Sequence, residues 1–73
     1  MVSYKTNVVY LARLLHPTSK VEVVGTRVRV KKSKGYFLAE VFADGNILAR
    51  ARHSNWRIAY KDLTIQLSKQ CFI

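Results

Sequence analysis

Leu63-Thr64-Ile65-Gln66-Leu67-Ser68 alternates apolar and polar residues, the period of a half-buried strand. Trp56, Ala59, Tyr60, Leu63, Leu67 and Cys71 fall at helical spacing through the same region. Which period governs decides the fold. A helix closes the chain as α-β-β-β-α, whereas a strand turns it into a small β-barrel of the OB type. Length arbitrates: from Asn55 to Gln70 there is neither glycine nor proline, which predicts a helix of about four turns with Ser54 or Asn55 as its cap. That helix leaves Ile58, Ile65 and Phe72 as an apolar line on its opposite side.

Upstream, Tyr36 to Phe42 and Ile47 to His53 read as a hairpin around Ala43-Asp44-Gly45-Asn46. A two-residue Asp44-Gly45 turn places Phe37, Ala39 and Val41 on the face of Leu48, Arg50 and Arg52. A three-residue loop, Ala43-Asp44-Gly45, places them with Ile47, Ala49 and Ala51, which makes one apolar face. Parity therefore favours the longer loop. Before it, Val21, Val23, Val24, Val28 and Val30 suit a strand, with Gly25 expected at a bulge or turn. Thr26 to Lys31 alternates, putting Arg27, Arg29 and Lys31 on one face. Lys31-Lys32-Ser33-Lys34-Gly35 then forms a basic turn.

The first element is a helix over roughly residues 7 to 16, capped by Thr6 or Asn7. Val8, Leu11, Ala12 and Leu15 give its apolar stripe, and Val9, Tyr10 and Leu14 widen it until most of the surface is buried. Pro17 stops it. The expected fold is α+β, in the order α-β-β-β-α: a three-stranded antiparallel sheet with two helices packed on one face.

Thirteen Lys or Arg against four Asp or Glu give 73 residues a net charge of +9. The length predicts a single domain over 1–73. At 49% hydrophobic the chain is too apolar for a disordered basic tail. Cys71 has no second cysteine to pair with, which predicts a reducing, cytoplasmic setting, and one cysteine with His16 and His53 closes no structural zinc site. No apolar run reaches ~20 residues, so no membrane span is expected. Arg13 and His16 interrupt any leader-like apolar stretch. The partner that this charge calls for is a polyanion.

Several stretches together resemble the double-stranded RNA-binding domain. Phe37-Leu38-Ala39-Glu40-Val41 with Asp44-Gly45 is similar to the family's second strand and turn, and Ile47-Leu48-Ala49-Arg50-Ala51 to its third strand. Ser54-Asn55-Trp56-Arg57-Ile58-Ala59 resembles the start of its second helix, and Asn7-Val8-Val9-Tyr10-Leu11 the start of its first. The resemblance implies non-catalytic binding of double-stranded or structured RNA through phosphate and shape, with three contact regions. Asn7, Tyr10 and Arg13 on the first helix would meet a minor groove and its 2′-hydroxyls. Lys31, Lys32 and Lys34 would reach the next minor groove. Arg57 and Lys61, at the start of the second helix, would face the phosphates between.

Other readings compete at particular residues. Arg27, Arg29 and Lys31 suit the solvated face of an edge strand. Arg50 or Arg52 can pair with Glu40 across strands. Trp56 suits core or cap packing better than base stacking, while Tyr36 and Phe42 share a strand face that could stack bases. Ile58, Ile65 and Phe72 would serve a small basic protein-binding module, a host-factor or enzyme regulator of phage or viral type, or a homodimer. An OB-like domain would bind single strands, and the charge alone would permit a DNA-compacting protein. No enzyme is expected. Glu22, Glu40, Asp44 and Asp62 are scattered, neither histidine has a carboxylate neighbour in sequence, and no phosphate-binding glycine loop or cofactor motif is present.

Overall fold

The computed structural model describes residues 3–71. It contains helix α1 (Tyr4–Leu15), strands β1 (Val21–Val28), β2 (Tyr36–Ala43) and β3 (Asn46–His53), and helix α2 (Trp56–Cys71). The strands form one antiparallel sheet in the order β1-β2-β3, and both helices lie on the same face of it. The chain is α-β-β-β-α. Residues 63 to 68 are helical, so the OB-type alternative is excluded.

The core explains why the helical period wins. Leu63 and Leu67 are fully buried, one turn apart, beside Ala59 and Tyr60. Opposite them, the inner sheet face presents Val23, Ala39, Val41, Ala43, Ala49 and Ala51, and α1 contributes Val8 and Ala12. Alanines at most of these places let the helices settle close to the sheet. The few larger side chains, Leu63, Leu67, Val8 and Val41, then fill the space between. As a strand, residues 63 to 68 would put Leu63, Ile65 and Leu67 on one face; the helix instead keeps Leu63 and Leu67 on one stripe with Ala59 and Tyr60 and leaves Ile65 outside.

Several local expectations are corrected. Helix α1 begins at Tyr4, a turn earlier than expected, because Ser3 is its cap: the Thr6 N–H donates to Ser3 Oγ at 3.1 Å. Tyr4 gains a partner in the Trp56 ring, 6.1 Å away and edge-on. The His16 N–H donates to the Ala12 carbonyl and ends the helix before Pro17. Tyr10, 63% exposed, and Leu14 face outward, so the buried stripe of α1 is narrower than the sequence suggested.

The hairpin turn is also different. Ala43 pairs with Asn46, leaving a two-residue Asp44-Gly45 turn, and both residues have positive φ, 51° and 81°. This is the backbone that an Asp-Gly hairpin favours. The apolar face survives because Leu48 bulges: Phe42 pairs with Ile47, but Val41 pairs with Ala49 and Ala39 with Ala51. The extra residue flips the side-chain parity. Ile47 consequently lies on the outer face, exposed, while Leu48 packs against the core.

Gly25 makes neither bulge nor turn; it pairs in register with Ala39. A Cβ there would collide with the Tyr60 hydroxyl and the Phe37 ring, whose centroids lie 5.4 Å apart. The glycine makes room for two aromatic side chains over β1. Strand β1 also stops at Val28, so Arg29 and Lys31 are loop residues and the expected three-cation strand face does not form.

On the far side of the sheet β3 has no neighbouring strand. Gln66 Nε2 donates to its Arg50 carbonyl at 2.9 Å and Gln70 Nε2 to its Leu48 carbonyl at 3.3 Å. Side chains of α2 thus occupy two carbonyls of the edge strand, which blunts its capacity to pair with another chain. No described helix is long and apolar enough to cross a membrane.

Candidate nucleic-acid interface

Strand register brings the basic segments together. Val28 pairs with Tyr36, closing the loop that carries Lys31, Lys32 and Lys34, and Phe37 pairs with His53, three residues before α2 begins. The Tyr4–Trp56 contact places the first residue of α1 beside the first residue of α2. The 29–35 loop and both helix N-termini therefore share one end of the molecule. Lys5, Arg27, Arg29, Lys31, Lys32, Lys34, Arg57 and Lys61 belong to it, eight of the thirteen cations. Glu22 and Asp44 lie toward the opposite end. Glu40, at mid-strand, is neutralised by Arg50, with Nη2 and Nε both 3.1 Å from Glu40 Oε2. Asp62, on α2 next to Lys61, accepts from Gln66 Nε2 at 3.4 Å.

The loop has an unusual backbone. The Ser33 N–H donates to the Val30 carbonyl, closing a turn with Lys31 and Lys32 at its centre. Lys32 has φ 67°, a left-handed conformation in which glycine or asparagine is normally favoured. Gly35 follows at φ 73°, and a Cβ there would meet the Val28 carbonyl. The Gly35 N–H donates to Ser33 Oγ at 3.2 Å. All three loop lysines are exposed.

At the start of α2 the cap is Asn55. Its Oδ1 accepts from the Arg57 N–H at 2.9 Å, and its own N–H donates to His53 Nδ1 at 3.2 Å. The Arg57 guanidinium carbon lies 5.4 Å from the centroid of the Trp56 ring. Trp56 is 43% exposed and packs edge-on against Tyr4 and Tyr60, so it is a cap-packing residue with one free side. Burial raises the Tyr60 pKa above its ordinary value.

Arg27 is the residue that sequence reading missed. Alternation assigned it to a solvated strand face with Arg29 and Lys31. It lies instead on the helix side of the sheet, where Nη1 donates to the Ser54 carbonyl at 3.1 Å and its guanidinium lies 5.9 Å from the Phe37 centroid. It joins β1 to the entry of α2 and adds a cation there. No sequence signal separates it from Arg29, because the distinction depends on where the strand ends.

Among the other predicted positions, Lys61 lies one turn beyond Arg57 and is exposed, as is Asn7 on α1. Arg13 is exposed in the last turn of α1, away from the basic end. Ile58 and Ile65 are 44% and 45% exposed and lie two turns apart on α2, beside the Arg57–Lys61 edge. Phe72 falls outside the described residues. Among those residues no three His, Cys, Asp or Glu side chains come together as a metal-ligand set. No family model, curated protein or solved structure matches this chain.

Proposed function

We propose that this chain binds double-stranded or structured RNA, without catalysing a reaction on it. The observation that supports this most is the collection of eight cations at one end, on a loop, the end of β1 and two helix N-termini. The loop and the helix N-termini are the regions that a resemblance to double-stranded RNA-binding domains assigns to contact. In that mode Asn7, Tyr10 and Arg13 meet a minor groove, Lys31, Lys32 and Lys34 reach the next one, and Arg57 and Lys61 hold the phosphates between. Arg27 supports the last of these from the sheet side. A duplex of ~16 base pairs would engage all three regions. The reading carries with it a cytoplasmic location, in keeping with the lone Cys71.

The Lys32 backbone supports the same reading. A left-handed lysine costs roughly 1–2 kcal/mol that glycine would avoid, so a charged side chain at the turn's apex has a use beyond closing the turn. A second reading, a protein-binding module, draws on the exposed Ile58–Ile65 line. It predicts no gel shift of duplex RNA.

Replacing Arg57 and Lys61 together by alanine tests the phosphate role. Affinity for unrelated RNA duplexes should fall alike, and the slope of log affinity against log salt should become shallower by about 1.8, at roughly 0.9 per phosphate contact as on DNA. An unchanged slope would remove α2 from the interface.

A further inference from the structure

Trp56 is the only tryptophan of the chain, and the fold does not spend it on the core. Tyr60, its neighbour in the same aromatic cluster, is 7% exposed, whereas Trp56 and Tyr4 each remain 43% exposed. Packing at the start of α2 accounts for the contacts of Trp56 with Tyr4 and Tyr60. It gives no reason for the rest of the indole to face solvent.

Cations surround this exposed surface. Lys5 follows Tyr4, Arg57 follows Trp56, and Lys61 lies one turn further along α2. Arg27 reaches the Ser54 carbonyl, two residues before the indole. Among the described residues none of these four cations forms an ion pair. The Arg57 guanidinium, itself exposed, lies over the indole ring.

We propose that Trp56 stacks on one unpaired base, so that the RNA this end prefers is a duplex carrying a bulged nucleotide. The preference rests on the RNA-binding reading above and specifies the kind of RNA. Cations alone suit a phosphate backbone, and they suit every duplex alike. An exposed indole suits the flat face of a base, which a continuous duplex keeps within its own stack. The two side by side match a nucleotide whose flanking phosphates are held while its base is free of pairing. Arg57 serves both parts: it rests over the ring in the free protein, then yields that place to the base and turns to the adjoining phosphate. A bulge meets this arrangement better than a single strand does, because α1 and the 29–35 loop engage paired, A-form geometry on either side. The expected gain in affinity is roughly 5- to 150-fold, from ~1–3 kcal/mol per stacked base at ~1.4 kcal/mol for each factor of ten.

Three duplexes of ~16 base pairs decide it: one fully paired, one with a central bulged adenosine, and one with an abasic bulge at the same place. The abasic bulge keeps the extra phosphate and the bend and lacks only the base. The full chain should bind the adenosine bulge at least about fivefold more tightly than the abasic one. Only the adenosine bulge should strongly quench the fluorescence of Trp56. Trp56→Leu should abolish the preference and Trp56→Phe should keep part of it, with thermal melts showing that each variant is folded. Should Trp56→Leu fail to fold, the quenching and the adenosine-to-abasic ratio of the wild-type chain decide alone. Equal affinity for the two bulges, or a preference that survives Trp56→Leu, would overturn the stacking role and leave duplex binding standing. Failure to bind any of the three would instead remove the RNA-binding reading, and the stacking role with it.

Discussion

The two turns that join the strands solve the same problem with different residues. Between β2 and β3, Asp44-Gly45 supplies two positive φ angles from the residue types that adopt them most readily. The turn is then tied down: the Lys20 N–H donates to Asp44 Oδ1 and the Asp44 N–H to the Lys20 carbonyl, both at 2.9 Å. Between β1 and β2 the left-handed position falls on Lys32, with lysines around it and no acid to offset them. The first turn is built for stability. The second gives up some stability to hold cations at the tip of the molecule, as the proposed RNA-binding role would require.

The glycines of the two turns should break differently. Gly35→Ala places a methyl against the Val28 carbonyl at positive φ, and strain plus overpacking should cost about 2–4 kcal/mol, enough to lower the melting temperature steeply in so small a domain. Gly45→Ala meets nothing within 4 Å and should cost only the left-handed conformation, about 1 kcal/mol. Equal losses in denaturant titrations would mean that the tight approach at Gly35 is not present in solution.

Lys32→Gly sharpens the comparison in the opposite direction. Relief of the left-handed lysine, less the greater backbone entropy that glycine loses on folding, should stabilise the domain by about 0.5–1 kcal/mol. The same change should weaken duplex RNA binding. A variant that is both more stable and weaker in binding separates the two roles of the turn. If stability falls instead, Lys32 makes a folded-state contact that offsets its backbone cost.

The smallest effect belongs to Asp44. Its pKa lies below the ordinary carboxylate value of 3.8 because the Lys20 N–H and then the Ser19 hydroxyl favour the carboxylate, with the His16 charge a lesser cause. The sign follows from a depressed carboxylate: the stabilisation is present above the unfolded value and is lost as pH falls through the folded one. Asp44→Asn should lower stability slightly near neutrality, leave it unchanged at low pH, and so flatten its decline below about pH 4. An acid limb identical to that of the wild type would show that the turn does not depend on the carboxylate's charge.

What the sequence disclosed follows the same division. The α2 stripe of Ala59, Tyr60, Leu63 and Leu67 was legible because burial repeats along a long uninterrupted segment. The Glu40–Arg50 pair was legible as a cross-strand possibility, and apolar parity placed Ala39 and Val41 on the face of Ala49 and Ala51, though not in the observed pairs Ala39–Ala51 and Val41–Ala49. The turn length was not legible, because a three-residue loop and a two-residue turn with a bulge at Leu48 put these residues on the same face. Gly25 read as a break because its reason, the rings of Phe37 and Tyr60, comes from 12 and 35 residues away in sequence. Arg27 was concealed for a related reason: its role depends on Ser54, across the sheet. The loop lysines could be read as a basic turn, but their nearness to Arg57 and Lys5 depends on the shared end of strands and helices.

Charge-matched substitutions at the two ends test the central claim most directly. Lys31→Gln/Lys34→Gln and Lys20→Gln/Lys69→Gln each remove two cations, the first pair from the basic end and the second from the opposite end. The salt dependence of binding to one RNA duplex should become shallower by about 1.8 for the first pair and hardly change for the second, at roughly 0.9 per phosphate contact. Equal changes for the two pairs would mean that net charge, and not the basic end, holds the RNA.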